Sequence, residues 1–138
     1  MCYCVYLGAD ADLSIVASDD EEPVFSVQPL AASDVAVVPN FTKKNIYHLG
    51  SWQGCSYGFA NDIDFEDAEL VAKNASSVNA LLSFIDSALS QEEKVELYTC
   101  WAGNQWQPPK ERRSASLDAI QYCGFELEED IFLIFTRP

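Results

Sequence analysis

No lysine or arginine occurs before Lys43, whereas seven acidic residues do: Asp10, Asp12, Asp19, Asp20, Glu21, Glu22 and Asp34. The front third of the chain therefore carries a purely negative field, within a formal net charge of -14 and a pI near 4.1. Such a field repels nucleic-acid phosphates and acidic membrane surfaces, and it speeds encounters with a basic partner at low salt. Direct nucleic-acid binding is not expected. The one basic concentration, Lys110, Arg112 and Arg113, is too small to reverse that expectation. Acidity also serves solubility alone, which gives the charge a second, plainer reading.

Histidine is almost absent as well, and with His48 alone no mechanism that needs two imidazoles is open to the chain. No apolar run approaches the ~20 residues of a membrane-spanning helix, and the opening residues lack a basic region followed by a hydrophobic segment. A cytoplasmic protein that does not enter the membrane is expected. Five cysteines, Cys2, Cys4, Cys55, Cys100 and Cys123, are an odd number without the regular spacing of a secreted disulfide scaffold, so reduced thiols are expected. No Lys-Ser/Thr pair follows the glycines at 50, 54 and 58, and the residues after them are acidic, so a phosphate-binding loop is not supported.

What is present describes one globular domain spanning residues 1–138, with 49% hydrophobic and 22% charged residues. Residues 2–7 are rich in aromatic and β-branched types and end at Gly8, which predicts a strand with Cys2, Cys4 and Tyr6 on one face and Tyr3, Val5 and Leu7 on the other. Further strands are predicted at 24–28, stopping at Pro29, and at 46–49, with a short one at 13–17. Residues 18–23 read as an acidic surface loop, and the glycine-spaced stretch 50–58 as a hairpin or tight loop. Val78, Leu81, Leu82, Ile85 and Leu89 fall on one helical face, which predicts a principal helix over about 77–90, capped by Ser76 or Ser77. A separate short helix is predicted at 65–73, with Glu69 and Lys73 one turn apart. Residues 95–101 alternate as a strand whose wetter face is Glu96, Tyr98 and Cys100, and the apolar run 131–136 as a strand well inside the sheet. The sum is an α+β fold, a mostly antiparallel sheet with one principal amphipathic helix packed on it.

Several side chains have chemistry worth weighing. Cys2, Cys4, His48 and Cys55 carry the donor types of a tetrahedral zinc site, although Cys-x-Cys with a distant third cysteine is poor knuckle spacing and buried cysteines often serve as small hydrophobes. No other cofactor is indicated. A reactive thiolate at Cys2 or Cys4 is disfavoured, because its neighbours in sequence are acidic. His48 and Cys55, oriented by Asp62 or Asp64, would form the centre of a small hydrolase if the intervening loop folded back. Trp52 beside the acidic run Asp19, Asp20, Glu21 and Glu22 would suit a protein-binding surface, since aromatics combine large apolar area with a polar tip.

Residues 1–8 (MCYCVYLG), 47–59 (YHLGSWQGCSYGF) and 97–101 (LYTCW) resemble a group of small uncharacterised bacterial proteins with an N-terminal MCYxVYLG-like and a central GSxxGCxxGF-like motif. In that group the central motif carries a second cysteine where this chain has Tyr57, so a shared thiol site would be weakened here. The resemblance implies a bacterial cytoplasmic origin and a common fold, and it transfers no activity or catalytic residue. Together these features favour a non-enzymatic acidic interaction or regulatory protein with a basic partner. A thiol or metal protein using Cys2, Cys4 and Cys55, and a hydrolase centred on His48 and Cys55, are the alternatives.

Overall fold

The computed structural model describes residues 3–13, 25–51, 68–117 and 130–137. Their strands are β1 (Tyr3–Ala9), β2 (Phe25–Pro29), β3 (Asn45–Ser51), β4 (Lys94–Trp101), β5 (Glu111–Ser116) and β6 (Ile131–Thr136), joined in one sheet of order β2-β3-β1-β4-β6-β5. Every neighbouring pair is antiparallel except β5 with β6, which is parallel. A 3-10 helix (Ala32–Asn40) joins β2 to β3, and the long helix α1 (Ala68–Leu89) lies between β3 and β4. Both β3 and β4 run against β1, so they run parallel to each other, and the connection that contains α1 has to cross over β1. This is the expected α+β architecture.

The period-two alternation of β1 divides its side chains between two cores. Val5, Leu7 and Ala9 join Val27, Tyr47, Leu49, Val95, Leu97 and Phe135 under α1, which contributes Leu81, Leu82, Ile85, Ala88 and Leu89. Burying each of the larger aliphatic chains is worth roughly 1.5–3 kcal/mol. Cys4 and Tyr6 face the other way, toward Val37, Phe41, Tyr98, Cys100 and Phe132. Gly8 is required on that second face, because a Cβ there would sit 2.6 Å from Cδ1 of Phe41.

Four expectations need correction. The predicted helix at 77–90 and the described part of that at 65–73 are one, Ala68–Leu89, in which Ser76 and Ser77 are interior residues rather than N-caps, while residues 65–67 lie outside the described ones. Asn74-Ala75-Ser76-Ser77 holds no glycine or proline to stop a helix, and the buried positions 74, 77, 81, 85 and 88 keep one helical face continuous through it. Glu96, Tyr98 and Cys100 were expected to be the wetter face of β4, yet they are 4%, 0% and 0% exposed. The 3-10 helix and the residues after it cover that face, with Thr42 donating to Glu96 through both its N–H (2.9 Å) and its hydroxyl (2.8 Å). Pro29 is the last residue of β2, which is tolerated because β2 lies at the edge of the described sheet, where proline is commonly found. Leu13 is buried but not in a strand, while the rest of the expected strand 13–17 lies outside the described residues.

Candidate functional site

The strand registers place one residue from each of the six strands in a single row across the second face: Gln28, His48, Tyr6, Tyr98, Phe132 and Arg112. Its centre is polar although it is buried. The Tyr6 hydroxyl donates to Asp34 Oδ1 at 2.6 Å, and Asp34 Oδ2 accepts the Ala31 N–H at 3.1 Å, where it closes the first turn of the 3-10 helix. Asp34 is 9% exposed, so those donors replace the water it has given up. Gln105, from the segment after β4, donates through Nε2 to the Tyr6 hydroxyl (3.4 Å) and to Cys4 Sγ (3.9 Å), while its Oε1 accepts the Gly103 N–H (2.8 Å). One phenol thereby ties the sheet to two covering segments.

The electrostatics follow from burial. Desolvation, reinforced by the donated bond to Asp34, drives the Tyr6 phenol far above its usual range. Tyr98 is pushed up to about 12, first by burial and then by the nearby Cys100 and Asp130. The Cys100 thiol is likewise pushed up to about 12 by burial, with Cys4, Asp130 and Asp34 adding to it. His48, whose ring lies 5.5 Å from that of Tyr6, is held below the ordinary imidazole range by burial, partly opposed by the charge of Asp34. At neutral pH Tyr6 and Tyr98 in the row, and Cys100 beside it, therefore keep their protons, and the His48 imidazole is without its extra proton.

The row ends at Arg112, whose guanidinium carbon stands 4.3 Å over the Phe132 ring and whose Nη2 donates to the Asn40 carbonyl at 2.8 Å. Nearby, Asp130 adopts a left-handed backbone at φ 62°, which Asp tolerates better than most residues. Its N–H donates to the Thr99 carbonyl, its carbonyl accepts the Lys110 N–H, and its Oδ2 lies 3.3 Å from Lys110 Nζ. Among the described residues, Asp130 Oδ1 and the Tyr98 hydroxyl are the buried side-chain atoms that lack a hydrogen-bond partner.

Of the expected metal ligands, Cys4 on β1 and His48 on β3 share this face, while Cys2 and Cys55 lie outside the described residues. Among the described residues no three His, Cys, Asp or Glu side chains converge to hold a metal ion. The proposed hydrolase partners Cys55, Asp62 and Asp64, and the expected partner-binding residues Asp19, Asp20, Glu21, Glu22 and Trp52, also lie outside the described residues. Sequence reasoning missed Cys100, which sits directly opposite Cys4 in the β1–β4 register. The alternation of both strands was readable, but their adjacency depends on topology. It also missed Asp34 and Gln105, which no local pattern marks. Trp106 is 69% exposed, and Val35 (57%) and Val38 (40%) are the other large apolar residues exposed among those described.

Comparison with protein-family models, with curated proteins and with solved structures finds no significant match to this chain. Among the described residues no helix is long and apolar enough to cross a membrane.

Proposed function

We propose that this chain is a small acidic interaction or regulatory protein, without catalytic activity of its own, that holds a basic protein partner in the cytoplasm. The observation that carries this reading is the charge distribution: -14 overall, with seven acids and no base ahead of Lys43. Long-range attraction of that kind accelerates encounter and selects the sign of the partner, while apolar contacts provide residence time. Exposed Trp106, Val35 and Val38 supply such contacts. Their segments are joined where Asn40 Nδ2 donates to the Gln107 carbonyl at 3.2 Å. The buried centre of the row supports the same reading, because the Tyr6 and Tyr98 protons are held by burial and Tyr6 is engaged in joining the sheet to its covering segments.

The test is the isolation of a basic binding partner, followed by titration of the purified pair at rising salt. Affinity is expected to fall steeply between about 0.05 and 0.3 M salt, over which the Debye length shrinks below ~10 Å. Trp106→Ala should slow no folding step yet raise the dissociation rate. A partner whose affinity ignores both salt and Trp106 would remove the proposal.

A further inference from the structure

We propose that Cys4 and Cys100 form a two-electron thiol–disulfide couple across β1 and β4, oxidised by small-molecule disulfides. The two residues are direct partners in the antiparallel register, on the same face and in the same buried cluster, and both carry thiols in the structure. Directly opposed residues on antiparallel strands have Cα atoms about 4.5–5.5 Å apart, inside the 4.4–6.8 Å that a disulfide spans. The bond therefore needs side-chain rotation and a slight approach of two strands that are already hydrogen-bonded, rather than a rearrangement of the fold. The contribution of Cys4 to the elevated pKa of the Cys100 thiol fits the same proximity.

The two thiols are not equivalent. Cys4 is 9% exposed and Cys100 0%, so Cys4 is the entry point. The Cys4 thiolate attacks one sulfur of a small disulfide such as oxidised glutathione, expelling one thiol and forming a mixed disulfide. The Cys100 thiol then loses its proton to solvent, and its sulfur attacks Cys4 Sγ, expelling the second small thiol. Two protein thiols become one protein disulfide, and one small disulfide becomes two small thiols. Because burial keeps the Cys100 thiol protonated up to about pH 12, the second step is slow at neutral pH and rises about tenfold per pH unit as the thiolate fraction grows. So slow a couple responds to sustained rather than brief exposure to an oxidising disulfide. It has a structural reach as well: Cys4 Sγ is one of the acceptors that hold Gln105, next to exposed Trp106.

The proposal is independent of the partner reading and is tested without any partner. Folded C2S/C55S/C123S protein, which keeps only Cys4 and Cys100, is incubated with oxidised glutathione and digested without reduction. The expected result is a peptide pair joined through Cys4 and Cys100, loss of both thiols, reversal by dithiothreitol, and a rate of joining that climbs about tenfold per unit from about pH 7 to about pH 9. The same linked pair should appear in digests of the oxidised wild-type chain, which keeps the test valid if the triple variant folds poorly. A stable glutathione adduct on Cys4 with Cys100 still a thiol, or no reaction until denaturant is added, would overturn it.

Discussion

Tyr6 is the residue on which the second face turns, since it packs with no exposure and holds Asp34 with its hydroxyl. Tyr6→Phe keeps the ring and removes the donor, leaving a buried carboxylate oxygen short of one partner. A loss of about 1–3 kcal/mol is expected in urea unfolding, with faster amide exchange in the 3-10 helix. Stability equal to wild type would show that the bond contributes nothing. Its neighbour His48 has a pKa lowered by burial, so between the ordinary imidazole value of about 6.5 and the depressed native value the unfolded chain binds a proton that the native chain does not. The stability that depends on a neutral His48 is therefore complete above about pH 6.5 and is lost as pH falls from there through the native value. His48→Phe, which keeps a ring against Tyr6, should flatten that portion of the melting temperature against pH profile. Gly8 has the opposite vulnerability: Gly8→Ala drives a methyl into the Phe41 ring and should cost about 1–3 kcal/mol, with part of the loss recovered in the double variant that also carries Phe41→Leu.

At the scale of elements, α1 offers a test whose sign separates two accounts of Ser76. If Ser76 capped a helix starting near residue 77, Ser76→Ala would destabilise by about 1 kcal/mol through the lost cap. In the interior of Ala68–Leu89, and exposed, it should instead stabilise by a few tenths of a kcal/mol, because alanine is the better helix former. Thermal unfolding of that one variant decides the matter. The same helix shows what was legible in the sequence. Leu81, Leu82, Ile85 and Leu89 announced its buried face by spacing alone, whereas its first half relies on Asn74 and Ser77, polar residues that no hydrophobic count includes. Strands β1, β3, β4 and β6 were readable for a related reason, each alternating or apolar along its length. Strand β5, Glu111–Ser116, was not, since Glu-Arg-Arg-Ser-Ala-Ser is polar but for Ala115 and is a strand only because it lies beside β6. Its charges suit an edge position, where lysine, arginine and glutamate discourage pairing with another chain. The candidate site divides along the same line. Cys4 and His48 could be marked by residue type, but the Cys4–Cys100 pairing and the bond from Tyr6 to Asp34 depend on contacts between elements distant in sequence.

For the whole molecule, the same charge that is proposed to draw a basic partner works against the fold. A formal charge of -14 concentrates repulsion in the compact state, which an expanded chain relieves. Local pairing counters only part of it. Glu92 accepts the N–H groups of Asp10 (3.1 Å) and Ala11 (2.8 Å) and lies 3.0 Å from Lys43 Nζ, joining the end of β1 to the approach to β4. Despite the upward push of desolvation, those donors and the Lys43 charge lower the Glu92 pKa, so this support is present above the ordinary carboxylate range and is lost as pH falls through the native value. Two ionic effects therefore oppose each other in salt: screening relieves the global repulsion while weakening exposed pairs such as Glu69 with Lys73 at 3.2 Å. Exposed pairs contribute about 0–1 kcal/mol each, and half-buried Glu92 is screened less, so relief of repulsion should win. The melting temperature is accordingly expected to rise between about 0.05 and 0.3 M sodium chloride at neutral pH, the range in which partner affinity should fall. The opposite movements distinguish charge-steered recognition from general destabilisation by salt. A melting temperature that falls with salt would mean that the carboxylates are better compensated in the fold than their number suggests, and would leave less negative field to attract a partner.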